Sequence, residues 1–98
     1  MEEINKSFDR EDLIEKLKNN DPKAEALMRD FKQSLQREYM SDTMSVYREI
    51  AKAYEEGGLL EKAKNAYYTA RTYAEKSNDF VLVDELMEKV RSLPGNID

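Results

Sequence analysis

The sequence contains neither cysteine nor histidine. Disulfide bonds are therefore excluded, as are metal sites built on thiolates or imidazoles and every catalytic arrangement that pairs a nucleophile with histidine. We accordingly expect a non-catalytic protein with no cofactor and no metal. No apolar run approaches the roughly 20 residues that a membrane-spanning helix requires, and residues 1–5 are too acidic and polar for a secretory signal. These features predict a cytoplasmic location.

Glycine and proline are scarce, with 3 and 2 residues, whereas 38% of the chain is charged. Such a composition has few turn-forming residues and favours helices with charged surfaces. A length of 98 residues suffices for one domain with a modest core. The net charge of −5 is spread along the chain without a basic block, which argues against nucleic acid as a partner. With 21 acidic residues, carboxylate clusters are expected on helix surfaces, and no loop has the alternating oxygen ligands of a calcium site.

Apolar residues recur with helical spacing in five segments. We predict helices over about 9–19, 22–40, 44–56, 60–76 and 80–93. Asp9 and Asp21 are predicted N-caps, with Pro22 as the first residue of the second helix, and Gly57-Gly58 ends the third. Because the loops are short, consecutive helices should be antiparallel. The predicted fold is a single all-α domain over residues 1–98, a five-helix antiparallel hairpin array with a C-terminal capping helix.

The third and fourth predicted helices carry large and small side chains at fixed separations. The large residues are Tyr47, Ile50, Tyr54 and Tyr67, and the small ones are Ala51, Ala63 and Ala70, with Gly58 in the turn. Small residues let two antiparallel helices approach, while the large ones fill the volume beside them. This spacing resembles the tetratricopeptide repeat, a unit of roughly 34 residues, over residues 44–77. Ala51 stands where the repeat usually has glycine, and Glu75 where it usually ends in proline.

The rest of the chain lacks this signature. Residues 9–40 are interpreted as a degenerate or unrelated helical hairpin, residues 79–93 as a helix that caps the array, and residues 94–98 as a flexible tail. The capping helix begins with four consecutive apolar residues, from Phe80 to Val83. Its surplus apolar surface could also meet another subunit.

The resemblance implies a binding scaffold rather than a catalyst. Tetratricopeptide proteins bind a partner peptide or helix in a groove lined by the first helix of each repeat. The matching positions here are Ser45, Arg48, Lys52, Glu55 and Glu56. Arg48 and Lys52 are four residues apart and share a helix face, so they could receive a partner's carboxylate. The alternative is an ordinary solvated face with a Lys52–Glu56 ion pair.

Two other functions stay open. Residues 44–93 could form a three-helix binding domain similar to the microtubule-interacting-and-transport domain. Alternatively, the fifth helix could drive homodimerisation, which would make the protein a structural assembly element. We also expect Tyr39, Met40 and Met44 to form an apolar core cluster, and Tyr68 to lie off the buried stripe of its helix. The identity of the protein partner is not encoded in these patterns.

Overall fold

A computed structural model describes residues 9–40 and 42–94 of the chain. The expectations for residues 1–5 and for residues 95–98 lie outside this part. The described residues form five helices and no strand, so the all-α prediction is confirmed. The helices are α1 (Arg10–Lys18), α2 (Ala24–Tyr39), α3 (Thr43–Glu56), α4 (Leu60–Lys76) and α5 (Phe80–Ser92). None of them is both long and apolar enough to cross a membrane.

Three helices begin with an aspartate whose carboxylate accepts a hydrogen bond from an amide of the first turn. The pairs are Asp9 with Asp12 (3.1 Å), Asp42 with Ser45 (3.2 Å) and Asp79 with Leu82 (3.3 Å). Asp21 acts differently from the predicted N-cap. Its carboxylate accepts from the amide of Lys23 and its carbonyl from that of Ala24, both at 2.9 Å, which forms a turn. Helix α2 therefore begins at Ala24, two residues later than predicted.

Three helices end in the same left-handed turn. In each, one residue has a positive φ, and the amide of the next donates to the carbonyl five residues before it, which is the Schellman arrangement. The left-handed residues are Asn20 (55°), Gly58 (82°) and Asn78 (61°), and the closing bonds run from Asp21 to Lys16, Leu59 to Tyr54 and Asp79 to Ala74. Glycine and asparagine adopt this conformation most readily, so the chain reverses within a few residues at each turn.

Met40, which follows α2, also has a positive φ (56°), but its ψ of −114° makes this turn different from the other three. Its side chain is 80% exposed, whereas Tyr39 and Met44 are half-buried against the core. The prediction that all three form a core cluster is therefore wrong for Met40. The position after a helix end aims its side chain outward, and the apolar character of the residue does not override that geometry.

The helices pack in chain order, α1 against α2, α2 against α3, α3 against α4 and α4 against α5, and α1 also contacts α3. Near the start of α3, the ring of Tyr47 stacks on that of Tyr73 near the end of α4, with centroids 6.1 Å apart. Near the end of α3, Glu55 meets Tyr67 from the middle of α4. Helices α3 and α4 are therefore antiparallel.

The small residues of α3 and α4 occupy the centre of the core. Ala51, Ala63 and Ala70 are fully buried, and Tyr67 is 1% exposed. Tyr47 and Tyr54 are half-buried beside them. This burial agrees with the packing role that the residue spacing indicates for these positions.

Candidate functional site

A groove of about 230 Å³ lies between α3 and α5. The backbones of α3 and α5 each pack against α4 but not against each other. A side chain of α4 therefore forms the floor of the groove. The lining comprises Arg48 and Lys52 from α3, Tyr67 from α4, and Leu82, Glu85, Leu86 and Lys89 from α5. Leu82 and Leu86 are one helical turn apart, so they present a continuous apolar strip next to the tyrosine.

Glu55 ties the three helices together at the edge of this groove. The Tyr67 hydroxyl donates a 2.8 Å hydrogen bond to Glu55 Oε1, and Lys89 Nζ donates to Glu55 Oε2 at 3.2 Å. The Lys89 ammonium also lies 5.4 Å from the centroid of the Tyr67 ring. Burial raises the pKa of Tyr67, and the bond to Glu55 raises it further. The hydroxyl is therefore a neutral hydrogen-bond donor at physiological pH.

The cations of the groove differ in how they are compensated. Lys89 is paired with Glu55. Lys52 pairs with Glu49 at 3.4 Å, and not with Glu56 as considered from the sequence. Arg48 makes no hydrogen bond or ion pair within the described residues, and its buried Nε has no acceptor there. Glu55 and Glu49 thus compensate two of the three cations of the lining, and Arg48 is the cation left without a carboxylate partner in the described part of the chain.

Three of the five residues that the resemblance implicated lie together. Arg48 and Lys52 line the groove, and Glu55 stands at its edge. Ser45 is buried, and its hydroxyl donates to the Asp42 carboxylate at 2.7 Å, so it belongs to the cap of α3.

Glu56 faces a different neighbour, the first turn of α1. Arg10 donates two hydrogen bonds to its carboxylate, at 2.7 and 2.8 Å. Glu56 therefore fixes α1 against α3 and lies outside the groove.

The residues that α5 contributes to the groove were not singled out from the sequence. Leu82, Glu85, Leu86 and Lys89 are spaced at three and four residues, so a signal for one shared face was present. The sequence predicted that α5 covers the α3–α4 hairpin, but it did not predict the direction in which α5 crosses α4. That direction determines that this face of α5 lies beside Arg48.

A second cavity of about 260 Å³ lies between the first and second pairs of helices. Leu17, Met28 and Tyr54 form part of its wall, and Lys62 Nζ lies 5.8 Å from the centroid of the Tyr54 ring. Burial raises the pKa of Tyr54, so its hydroxyl is neutral. Like the groove, the cavity is smaller than typical small-molecule sites of roughly 300–1,000 Å³, and its cation Lys62 lies over the Tyr54 ring, so we interpret it as a packing gap between the two pairs.

Tyr68 is half-buried rather than fully exposed, and the Arg71 guanidinium lies 5.6 Å from its ring centroid. Within residues 9–40 and 42–94, no group of three or more acidic side chains is placed to hold a metal ion. No protein-family model, no curated protein and no solved structure matches this chain.

Proposed function

We propose that this protein is a non-catalytic protein-interaction module of the tetratricopeptide type, an adaptor, chaperone-like factor or small subunit. Its site is the groove between α3 and α5, and its ligand is an acidic segment of a partner protein, in extended or helical form. The main support is that Arg48, in the lining of the groove, has no counter-ion among the described residues and a buried Nε without an acceptor.

The physical basis is charge, because Tyr67, Leu82 and Leu86 are already buried and leave little apolar surface for a partner to cover. A carboxylate of the partner would pair with Arg48. Hydrogen bonds to charged groups contribute about 1.5–3 kcal/mol, and a guanidinium presents a planar fork that fits a carboxylate.

A peptide-display selection tests this function. The full chain is immobilised and presented with a random peptide library, and the affinities of the enriched peptides are measured in solution. We expect a consensus that contains Asp or Glu. The double variant Arg48→Ala/Lys52→Ala should bind these peptides at least about tenfold more weakly, the equivalent of roughly 1.4 kcal/mol.

The matched control is Lys23→Ala/Arg29→Ala, which removes two exposed cations from the region of α2 instead. It changes the net charge by the same amount but leaves the groove intact. Equal loss of binding in both double variants would mean that only net charge matters, and it would refute the groove as the site. Enrichment of basic or uncharged peptides would refute the acidic ligand.

The second candidate function is a homo-oligomeric assembly element. It is favoured by Phe80 and Val81 at the start of α5, which are 58% and 72% exposed. Sedimentation equilibrium separates the candidates, because an assembly element must form dimers or larger species whose association is lost in Val81→Ser. A monomer over the whole concentration range would eliminate this candidate.

A further inference from the structure

Helix α1 is held on the rest of the described chain by few contacts. Within residues 9–40 and 42–94 it packs only against α2 and α3. It buries two side chains, Leu13 and Leu17, whereas α5 buries four. The ion pair of Arg10 with Glu56 is partly exposed at both ends and adds little. Because a helix of nine residues is only marginally stable alone, we expect α1 to detach as a unit before the rest of the chain unfolds.

The surface of α2 and α3 that receives α1, which we call the α1-binding surface, is specific for this helix. Gly57 makes room for Leu17, since a β-carbon at position 57 would stand 2.6 Å from the Leu17 β-carbon. Glu56 accepts two hydrogen bonds from Arg10, at 2.7 and 2.8 Å. The surface therefore fits a helix that carries an arginine and, seven residues later, a leucine. A second copy of the chain supplies a helix with the same sequence.

The turn between α1 and α2 combines backbone strain with loose packing. Asn20 has a φ of 55°, the left-handed conformation that is costly for residues other than glycine. Asn20, Asp21 and Pro22 all border the cavity of about 260 Å³, so this side of the turn is incompletely packed. Proline also favours extended backbone at the residue before it, here Asp21. Both the strain and the proline favour an open connection between the two helices.

From these features we infer that α1 of one chain binds the α1-binding surface of a second copy, so that two chains exchange α1 in a dimer. Each α1 keeps all of its contacts in this dimer, because it meets the same surface. The monomer and the dimer differ only at residues 19–23, where the open form no longer requires a left-handed Asn20. Short turns under strain promote such an exchange.

The exchange is independent of both functions proposed above. It involves α1, α2 and α3, whereas the groove lies between α3 and α5 and the exposed Phe80 and Val81 belong to α5. The dimer therefore leaves the groove intact in each copy, and its interface is a surface that the monomer already uses.

Crosslinking between two single-cysteine variants of the full chain tests the inference, since the natural sequence has no cysteine. Arg10→Cys and Glu56→Cys proteins are mixed, unfolded in urea, refolded together at low and at high concentration, and treated with a short bifunctional maleimide. A link between positions 10 and 56 joins two chains when α1 of one lies on α3 of the other. We expect covalent dimers that increase with protein concentration, with the 10–56 link identified by mass spectrometry.

The matched control for the crosslink pairs Arg10→Cys with Glu88→Cys. Position 88 lies on α5, which α1 does not contact, and its side chain is 80% exposed. This pair therefore reports random collisions, and it should yield far fewer linked dimers than the 10–56 pair.

Variants of the turn test the cause of the exchange. Asn20→Gly removes the strain from the closed turn, and each dimer opens two turns, so the dissociation constant of the dimer should rise at least about tenfold. Asn20→Val increases the strain and should lower that constant. The control is Asn78→Gly in the turn between α4 and α5, where the asparagine is also left-handed, with a φ of 61°. It should leave the dissociation constant unchanged in sedimentation equilibrium.

Four results would overturn the inference. They are a monomer at every concentration, 10–56 links no more abundant than the control links, a dimer that Asn20→Gly does not weaken, and a dimer that Asn78→Gly or Val81→Ser weakens instead. The last result would assign the dimer to α5. None of these measurements involves peptide binding, so failure of the exchange is distinguishable from failure of the groove.

Discussion

Leu17 of α1 lies against the bare α-carbon of Gly57, at the end of α3. A β-carbon at position 57 would stand 2.6 Å from the Leu17 β-carbon, closer than two such atoms can approach. Gly58 is required for a different reason: a β-carbon there would meet nothing, but its φ of 82° strains any other residue. The two adjacent glycines therefore have separate roles. Gly57 lets α1 pack closely against α3, and Gly58 lets the chain reverse direction.

We expect Gly57→Ala to lower the free energy of unfolding by about 1–3 kcal/mol, because the backbone of α1 must move away from α3. Gly58→Ala should also be destabilising, by about 1–2 kcal/mol, through backbone strain alone. Urea denaturation measures both losses. Hydrogen exchange distinguishes them, since only Gly57→Ala should accelerate exchange of the α1 amides selectively. Unchanged exchange in α1 would contradict the close packing of Leu17 on Gly57.

The fully buried alanines of the α3–α4 interface should not tolerate enlargement. We expect Ala63→Val to lower the free energy of unfolding by about 1–3 kcal/mol, because two extra methyl groups have no space between the helices. Ala26→Val on α2 adds the same methyl groups and the same loss of helix propensity at an exposed position, and it should cost less than about 0.7 kcal/mol. Thermal unfolding of both variants makes the comparison, and equal losses would disprove close helix approach.

The N-cap of α3 offers a test of local stability. Asp42 accepts from both the amide and the hydroxyl of Ser45, so Asp42→Ala should reduce stability by about 1 kcal/mol. Asp42→Asn retains a side-chain oxygen for the amide and should lie closer to the wild-type protein. Chemical denaturation gives the order of the three proteins, and an alanine variant as stable as the asparagine variant would contradict the cap.

Alkaline pH should destabilise the protein in part through Tyr67. Its pKa is raised in the folded state by burial and by Glu55, whereas an unfolded tyrosine ionises near pH 10. The stabilisation is complete below about pH 10 and is lost as the pH rises through the folded pKa, with a slope of up to about 1.4 kcal/mol per pH unit. Tyr54 contributes in the same direction.

Tyr67→Phe isolates the contribution of Tyr67. This variant loses the bond to the charged Glu55 carboxylate, about 1.5–3 kcal/mol at neutral pH, but its stability should then fall less steeply between about pH 10 and 11 than that of the wild-type protein. Urea denaturation across this range gives the two slopes. Identical slopes would show that Tyr67 ionises in the folded state as easily as in the unfolded chain.

Acid pH should weaken the attachment of α1. The Arg10 guanidinium lowers the pKa of Glu56, so the pair stabilises the fold above the unfolded value of about 4.3 and is lost as the pH falls through the folded value. We expect Arg10→Gln to raise the pKa of Glu56 in an NMR titration. Because Glu56 is 52% exposed, Glu56→Gln should cost less than about 1 kcal/mol at neutral pH, compared with Asp30→Asn on α2 as control. An unshifted Glu56 titration in Arg10→Gln would rule out the ion pair.

Local features of the sequence predicted the helices well. The apolar period, the Asp9 cap of α1 and the glycine turn at position 58 all depend on residues a few positions apart. The observed helix bounds differ from the predicted ones by at most two residues. The exception at the start of α2 is also local. Asp21 accepts hydrogen bonds from two amides within a turn, and residue propensities do not distinguish such a turn from an N-cap.

The groove and the docking of α1 depend on contacts between distant residues, which no local pattern specifies. Glu55 was predicted as a groove position together with Arg48 and Lys52, but its bond to Lys89 spans 34 residues. Glu56 was predicted as a groove position too, yet its carboxylate accepts from the Arg10 guanidinium, 46 residues away, and it lies outside the groove. Two adjacent residues of α3 thus contact different helices, Glu55 contacting α5 and Glu56 contacting α1. The positions of α1 and α5 determine these two contacts.

The order in which the helices pack has a consequence for how fast the chain folds. Apart from the contact of α1 with α3, each packed pair of helices is consecutive along the chain, so little loop-closure entropy is lost before a contact forms. Helical proteins with such local contacts fold within microseconds to milliseconds. A stopped-flow or temperature-jump experiment should therefore find that α3 and α4 pack together rapidly. The long-range ion pair of Arg10 with Glu56 should form last.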